Sequence, residues 1–193
     1  MASLVQTPLK SNPAFRQMTV EEFLELPIEG RAELEDGVLY MMGGGSPLHA
    51  AITVNISSTL RAKLRGSGCR PMSPDMVVRT GPASLRMPDA SVYCRSDWSE
   101  LDARTQLLGD PKVVFEVLSP STSRYDQEVK LNEYRSLAGM EAVVFVHPEG
   151  GRVRLVERTG PEAWTDRWLE KGADVPLPSI GINLSPADIF DLD

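Results

Sequence analysis

Leu48, Ile52, Ile56, Leu60 and Leu64 return at every fourth position, the mark of a helix with one apolar stripe. Ser46 is a good N-cap and Pro47 a good first helical residue, so this helix opens there and runs to Gly66. Upstream, Thr19 followed three residues later by Glu22 is a capping-box pattern, predicting a short helix that Pro27 ends. Asp36-Gly37, between Arg31–Glu35 and Val38–Met42, predicts a tight hairpin. Met76–Arg79 and Met87–Cys94, around a Gly81-Pro82 turn, predict an extended hairpin. Val113–Leu118 is a nearly unbroken apolar run, as expected of a central strand covered on both faces. A helix is expected from about Arg124 to Ala138, ended by Gly139, then strands at Ala142–Val146 and Val153–Arg158. Two short strands around Trp164 and Trp168, read as core or dimer contacts, precede a helical turn near Pro186–Phe190. Residues 1–17 show no period and read as a loosely held arm; 18–193 read as one domain. The order predicts an α+β (α/β) fold, a mixed β-sheet with a helix on each face.

Two positions break the apolar pattern. Glu116 stands inside Val113-Val114-Phe115-Glu116-Val117-Leu118, and Asp89 opens Pro88-Asp89-Ala90-Ser91-Val92-Tyr93. A buried ionised carboxylate costs several kcal/mol or more unless a partner or metal compensates it. Strand alternation puts Val114, Glu116 and Leu118 on one face, and if the two strands are neighbours both acids can enter one pocket. Two oxygen donors near one point suit a hard divalent cation, Mg²⁺ or Mn²⁺, with Asp89 and Glu116 as its ligands. A lysine usually completes such a site two residues past the glutamate, and here that position is Leu118. Lys130 on the following helix is the next candidate, in the i, i+4, i+8 series Asp126, Lys130, Tyr134. The plain alternative is an ordinary helical Asp126–Lys130 ion pair.

Those segments meet others in a fixed order: Gly30-Arg31-Ala32-Glu33-Leu34-Glu35-Asp36-Gly37, Ser46-Pro47-Leu48-His49, Met87–Val92, Glu116–Thr122, and Asp126-x3-Lys130-x3-Tyr134. Together they resemble the Uma-two family of restriction-endonuclease-like proteins, in the PD-(D/E)XK nuclease superfamily, from about Met18 to the C-terminus. The resemblance implies a restriction-endonuclease-like fold and metal-dependent DNA endonuclease chemistry at a phosphodiester. It matches Asp89 and Glu116 to the metal-binding acids and Lys130 to the lysine moved from strand to helix. It also matches Glu33 to an acid of the opening hairpin and His49 to a histidine at the start of the first long helix. The segment Glu141–Pro148 departs from the pattern: it lacks an aromatic pair and an aspartate, with His147 where an acid is frequent.

Glu33 has a bland reading as an exposed hairpin acid, and alternation puts Glu33 and Glu35 on one face. His49 falls in a first helical turn, where the dipole disfavours protonation; a neutral imidazole there could accept a proton, bond a phosphate or cap its own helix. Asp75, with its own Pro-Asp step, competes with Asp89 and stays a candidate auxiliary acid.

At 193 residues, 41% hydrophobic and 24% charged, the chain needs neither metal nor disulfide merely to fold. Cys69 and Cys94 are too few for a disulfide framework, and with no leader or spanning segment evident the chain reads as cytoplasmic, both thiols reduced and packed as small apolar groups. Two histidines make a structural zinc site a poor reading. The net charge of −7 argues against free-standing nucleic-acid binding. Between Arg61 and Arg86, however, six basic residues meet one acid, Asp75. That stretch could face a phosphate backbone or be a solvated helix end. A symmetric homodimer sharing a basic cleft would ease the charge objection. Two other classes stay open: a nuclease fold without turnover that binds nucleic acid or protein, and a hydrolase of small phosphate esters. The second is disfavoured because Gly43–Gly45 lacks the Lys-Ser/Thr of a phosphate-binding loop.

Overall fold

The computed structural model describes residues 17–95, 97–99, 101, 106–119 and 124–192. The expected arm, apart from Gln17, therefore lies outside the described residues, as do most of the turn after Leu118 and the side chain of Asp126. In chain order come α1 (Val20–Leu24), β1 (Ala32–Glu35), β2 (Val38–Met41), α2 (Pro47–Lys63) and β3 (Cys69–Met72). Next are β4 (Val78–Gly81), β5 (Ser84–Arg86), β6 (Ala90–Cys94), β7 (Val113–Val117) and α3 (Arg124–Ser136). β8 (Ala142–His147), β9 (Arg152–Arg158), β10 (Trp164–Trp168), β11 (Val175–Leu177), β12 (Ile182–Leu184) and α4 (Pro186–Phe190) follow.

The caps act as the residue types dictate. Thr19 and Glu22 close a reciprocal capping box, Ser46 Oγ accepts the His49 N–H, and Ser185 pairs likewise with Asp188. Asp36 (φ 47°) and Gly37 (φ 79°) make the positive-φ turn that keeps β1 and β2 in register.

Six strands form a mixed sheet in the order β10-β9-β8-β7-β6-β3, with β7 and β8 parallel. Every residue of β7 is buried. Val113, Phe115 and Val117 pack with Ile52, Ile56, Leu60 and Leu64 of the α2 region, at roughly 2 kcal/mol per buried aliphatic side chain. Val114 and Leu118 pack on the other face with Leu131, Tyr134 and Leu137 of the α3 region. The helix-on-each-face expectation is met.

Three expectations need correction. The strands do not form one sheet: β2-β1-β5-β4 is a second, four-stranded sheet and β11-β12 a separate ribbon. The hairpin expected from Met76–Arg79 and Met87–Cys94 is split, because β4 pairs with β5 and the chain then crosses to the large sheet at Ala90. Pro88 has no N–H for either ladder, so the crossing falls there and leaves Asp89 at its edge. Third, Cys69 and Cys94 are not free thiols: they are direct partners in the β3–β6 register and form a disulfide. The argument for a reducing compartment loses its support with them. Among the described residues no helix is long and apolar enough to cross a membrane.

The basic stretch does not make one face. Arg86 is buried, Lys63 pairs with Asp188, and Arg79 pairs with Glu21.

Candidate active site

β6 and β7 run antiparallel, with Ala90 opposite Phe115 at the end of their ladder. One step further the register sets Asp89 opposite Glu116, and directly opposed residues share a face. Both acids are almost inaccessible, at 5% and 6% exposure. The Val117 N–H donates to Asp89 Oδ2 at 2.8 Å, tying the acid of one strand to the backbone of the other.

Lys130 and Tyr134, one turn apart on α3, come down onto the same pair. The Tyr134 hydroxyl donates to Glu116 Oε1 at 2.7 Å, and Lys130 Nζ lies 3.7 Å from the same oxygen. Lys130 Nζ also donates to Glu33 Oε1 at 2.9 Å, so Glu33 reaches the cluster from the small sheet. The bland reading of Glu33 fails, since it is 5% exposed. The Met87 N–H donates to the same Glu33 oxygen at 3.2 Å, securing the crossing segment to it.

His49 Nε2 lies 3.2 Å from Asp89 Oδ2, and Arg31 Nη1 3.4 Å from Oδ1. His49 therefore bonds an acid and not its own helix. The dipole argument for a neutral ring is overturned: the Asp89 hydrogen bond outweighs burial and raises the imidazole's pKa. Asp75 is exposed and accepts a bond from Ser73 Oγ in its own turn, outside this contact set. Leu118, in the usual lysine slot, is buried in the core under α3.

Arg86 was not legible as a site residue. It is 3% exposed and bonds three acids: Nη1 to Glu33 at 3.2 Å, Nη2 to Glu35 at 3.1 Å, and a two-pronged contact to Glu133 at 2.6 and 2.7 Å. Thr80 Oγ1 completes Glu133 at 2.7 Å. The fork clamps α3 to the small sheet and holds Glu33 from the side opposite Lys130. Arg31 was also missed; both had only positive charge near an acid segment as a signal.

Electrostatics divide the acids. Burial pushes Glu33 up, but Lys130 and Arg86 outweigh it and hold its carboxyl below the usual value. Burial likewise opposes ionisation of Asp89, and His49, the Val117 N–H and Arg31 hold its pKa down. Glu116 is pushed up to about 7, by burial first, with Lys130 pulling down and the Glu33 and Asp89 charges adding to the rise. Lys130 stays charged despite burial because Glu116 and Glu33 face it. Glu116, beside Asp89, is thus the acid whose ionised form is least compensated. Among the described residues no three acid, histidine or cysteine side chains converge to cage an ion unaided.

A mixed sheet between two helices, with paired acids at its end and a lysine from the next helix, defines a restriction-endonuclease-like fold. Residues 20–187 match the family model Uma2, described as "Putative restriction endonuclease", and the chain belongs to that family. It is 29% identical over 180 residues to the uncharacterized protein slr1290 of Synechocystis sp., covering 91% of this chain and 93% of that one. Among solved structures it is similar to a "putative nuclease belonging to DUF820" from Anabaena variabilis, with a TM-score of 0.73 at 22% identity, over 90% of this chain and 97% of that one. At that identity the likeness is one of fold.

Proposed function

We propose that this protein is a divalent-metal-dependent endonuclease hydrolysing phosphodiester bonds of DNA. The observation that carries the reading is the facing of Asp89 and Glu116 across β6 and β7, with Lys130 Nζ 3.7 Å from Glu116. The donor set fits Mg²⁺ or Mn²⁺: two carboxylates supply hard oxygens, and a divalent ion would favour the ionised form of Glu116 that burial and the neighbouring acids oppose. Mg²⁺ is commonly bound through one or two carboxylates, with water and substrate phosphate as the other ligands, so no third acid is required. When bound, the ion supplies Lewis acidity toward the phosphoryl group and the means to make hydroxide at neutral pH.

The chain's own residues have separate tasks. Asp89 and Glu116 would hold the ion. Lys130 keeps its proton and places positive charge where negative charge grows on the phosphate. Glu33, gripped by Arg86, fixes the Lys130 ammonium. His49 acts as a donor that orients Asp89. A symmetric homodimer belongs to the same reading, its mark being twice the monomer mass by light scattering.

Supercoiled plasmid incubated with Mn²⁺ or Mg²⁺ tests the proposal. Wild type should nick it; Glu116→Ala, Asp89→Ala and Lys130→Ala should each lose at least 100-fold, on the order expected for a principal charge-stabilising group. Equal nicking by wild type and Glu116→Ala would sink the assignment. Wild type that binds DNA but never nicks would be a binding module on the same fold.

A further inference from the structure

We propose that Tyr40 is the stacking platform for an unpaired base beside the phosphodiester held at the acid cluster, so that the substrate is single-stranded or locally unpaired DNA. The phosphate part rests on the endonuclease reading; the base part rests on four other observations.

The first is register. β1 and β2 pair Glu33 with Tyr40 and Glu35 with Val38, and opposed residues of an antiparallel pair lie on the same face about 5 Å apart. The face thus passes from Glu33, 5% exposed and bonded to Lys130, to Tyr40, 38% exposed, in one strand step. The second is clustering. Among the described residues eight large hydrophobic side chains are exposed, and four of them, Val38, Tyr40, Met41 and Leu48, stand on β2 and the first turn of α2. Val38 and Tyr40 share the face of Glu33, and Leu48 adjoins His49, whose ring bonds Asp89.

The third is space. Between Met41 and Leu48 runs Gly43-Gly44-Gly45, and a Cβ placed on Gly43 or Gly44 would meet no atom within 4 Å. The Tyr40 hydroxyl has no hydrogen bond among the described residues, so nothing in the described residues fixes the ring to another polar group. The fourth is charge. Val38-Leu39-Tyr40-Met41 carries none, so this strip offers no cation to a phosphate. A flat, uncharged base face is the part of a nucleotide that it suits, and aromatic stacking accepts any base.

β2 is also the free edge of the small sheet, which raises the rival of a second copy pairing along it. Four residues paired with four bury far less than the roughly 1,200 Å² at which stable interfaces begin. The base is the better occupant.

The test uses wild type, Tyr40→Phe and Tyr40→Ala with a hydrolysis-resistant phosphorothioate single strand carrying 2-aminopurine, whose fluorescence falls on stacking, in the presence of Mg²⁺. Wild type and Tyr40→Phe should quench the probe. Tyr40→Ala should lose the quenching and bind about 10-fold more weakly, the fold-change of one lost stacked base. Full duplex of the same sequence should bind more weakly than the single strand. Unchanged quenching and affinity in Tyr40→Ala, or no quenching by wild type, overturns the proposal. So does a fall in mass of Tyr40→Ala by light scattering, which would give β2 to a second copy. Wild type that quenches the probe yet leaves plasmid uncut keeps this subsite and removes the endonuclease reading. Wild type that cuts while Tyr40→Ala binds normally removes only the subsite.

Discussion

His49 lies against the backbone of Gly45. A Cβ built on Gly45 would stand 2.7 Å from His49 Nδ1 and 3.0 Å from its Cγ, and Gly45 is not among the positive-φ glycines. Alanine at 45 therefore acts by contact alone and should push the ring away from Asp89 while leaving α2 intact. Gly45→Ala is expected to lower the His49 pKa toward its ordinary value, followed by NMR titration of the two imidazoles, with nicking reduced in parallel. An unmoved His49 titration would show that the ring keeps its place by other means. Asp89, Glu116 and Lys130 were legible from sequence because local geometry directs them: strand alternation for the acids, the i+4 step to Tyr134 for the lysine. His49 was legible as a position but not in the direction of its pKa shift. Its local dipole favours the neutral form, whereas the acid that raises its pKa lies 40 residues away. Arg86 was hidden for the same kind of reason: its partners come from β1 and α3, and no spacing in the chain relates them.

At the scale of elements, β3 is a four-residue edge strand held to β6 by its ladder and by Cys69–Cys94. With a sequence separation of 25, the cross-link removes loop-closure entropy from the unfolded chain worth about 3.5 kcal/mol. Reductant, or the double substitution Cys69→Ser with Cys94→Ser, should therefore shift the urea midpoint downward by an amount matching that figure. Coincident curves with and without reductant would mean that the bridge contributes nothing. The helices, their caps and β7 were readable because each has a strong local pattern. β3 was not, since Cys-Arg-Pro-Met has no alternation, and its strand character comes from pairing with β6. The two-sheet division escaped notice because Met87-Pro88-Asp89 extends the β6 pattern, and only the partner strands distinguish a crossing from a continuous strand.

For the whole molecule the acid cluster sets how stability depends on pH. Glu116 titrates at about 7 when folded and near 4.5 when unfolded, so between those values the folded chain holds the extra proton. Stability then falls as pH rises through that window, by roughly 3 kcal/mol in full. His49, raised by Asp89, acts in the same sense: its contribution is present below 6.5 and lost as pH passes its folded pKa. Glu33 and Asp89, both lowered, act oppositely, losing their contribution as pH drops below the ordinary carboxylate range. In chelator, calorimetric Tm should decline from pH 5 to pH 8. Glu116→Gln should flatten the decline, and Mn²⁺ should raise Tm more at pH 8 than at pH 6. A chelated protein that grows more stable from pH 5 to 8 would contradict this charge balance. By itself the sequence determined the local elements, the two misplaced acids, the trailing lysine and the order of motifs, because these depend on neighbours within one strand or one helical turn. Tertiary structure decided which sheet each strand joined, that two cysteines met, and that Arg86 and His49 closed around the acids. Those outcomes follow from pairing and charge between segments far apart in the chain, which only the folded arrangement brings into contact.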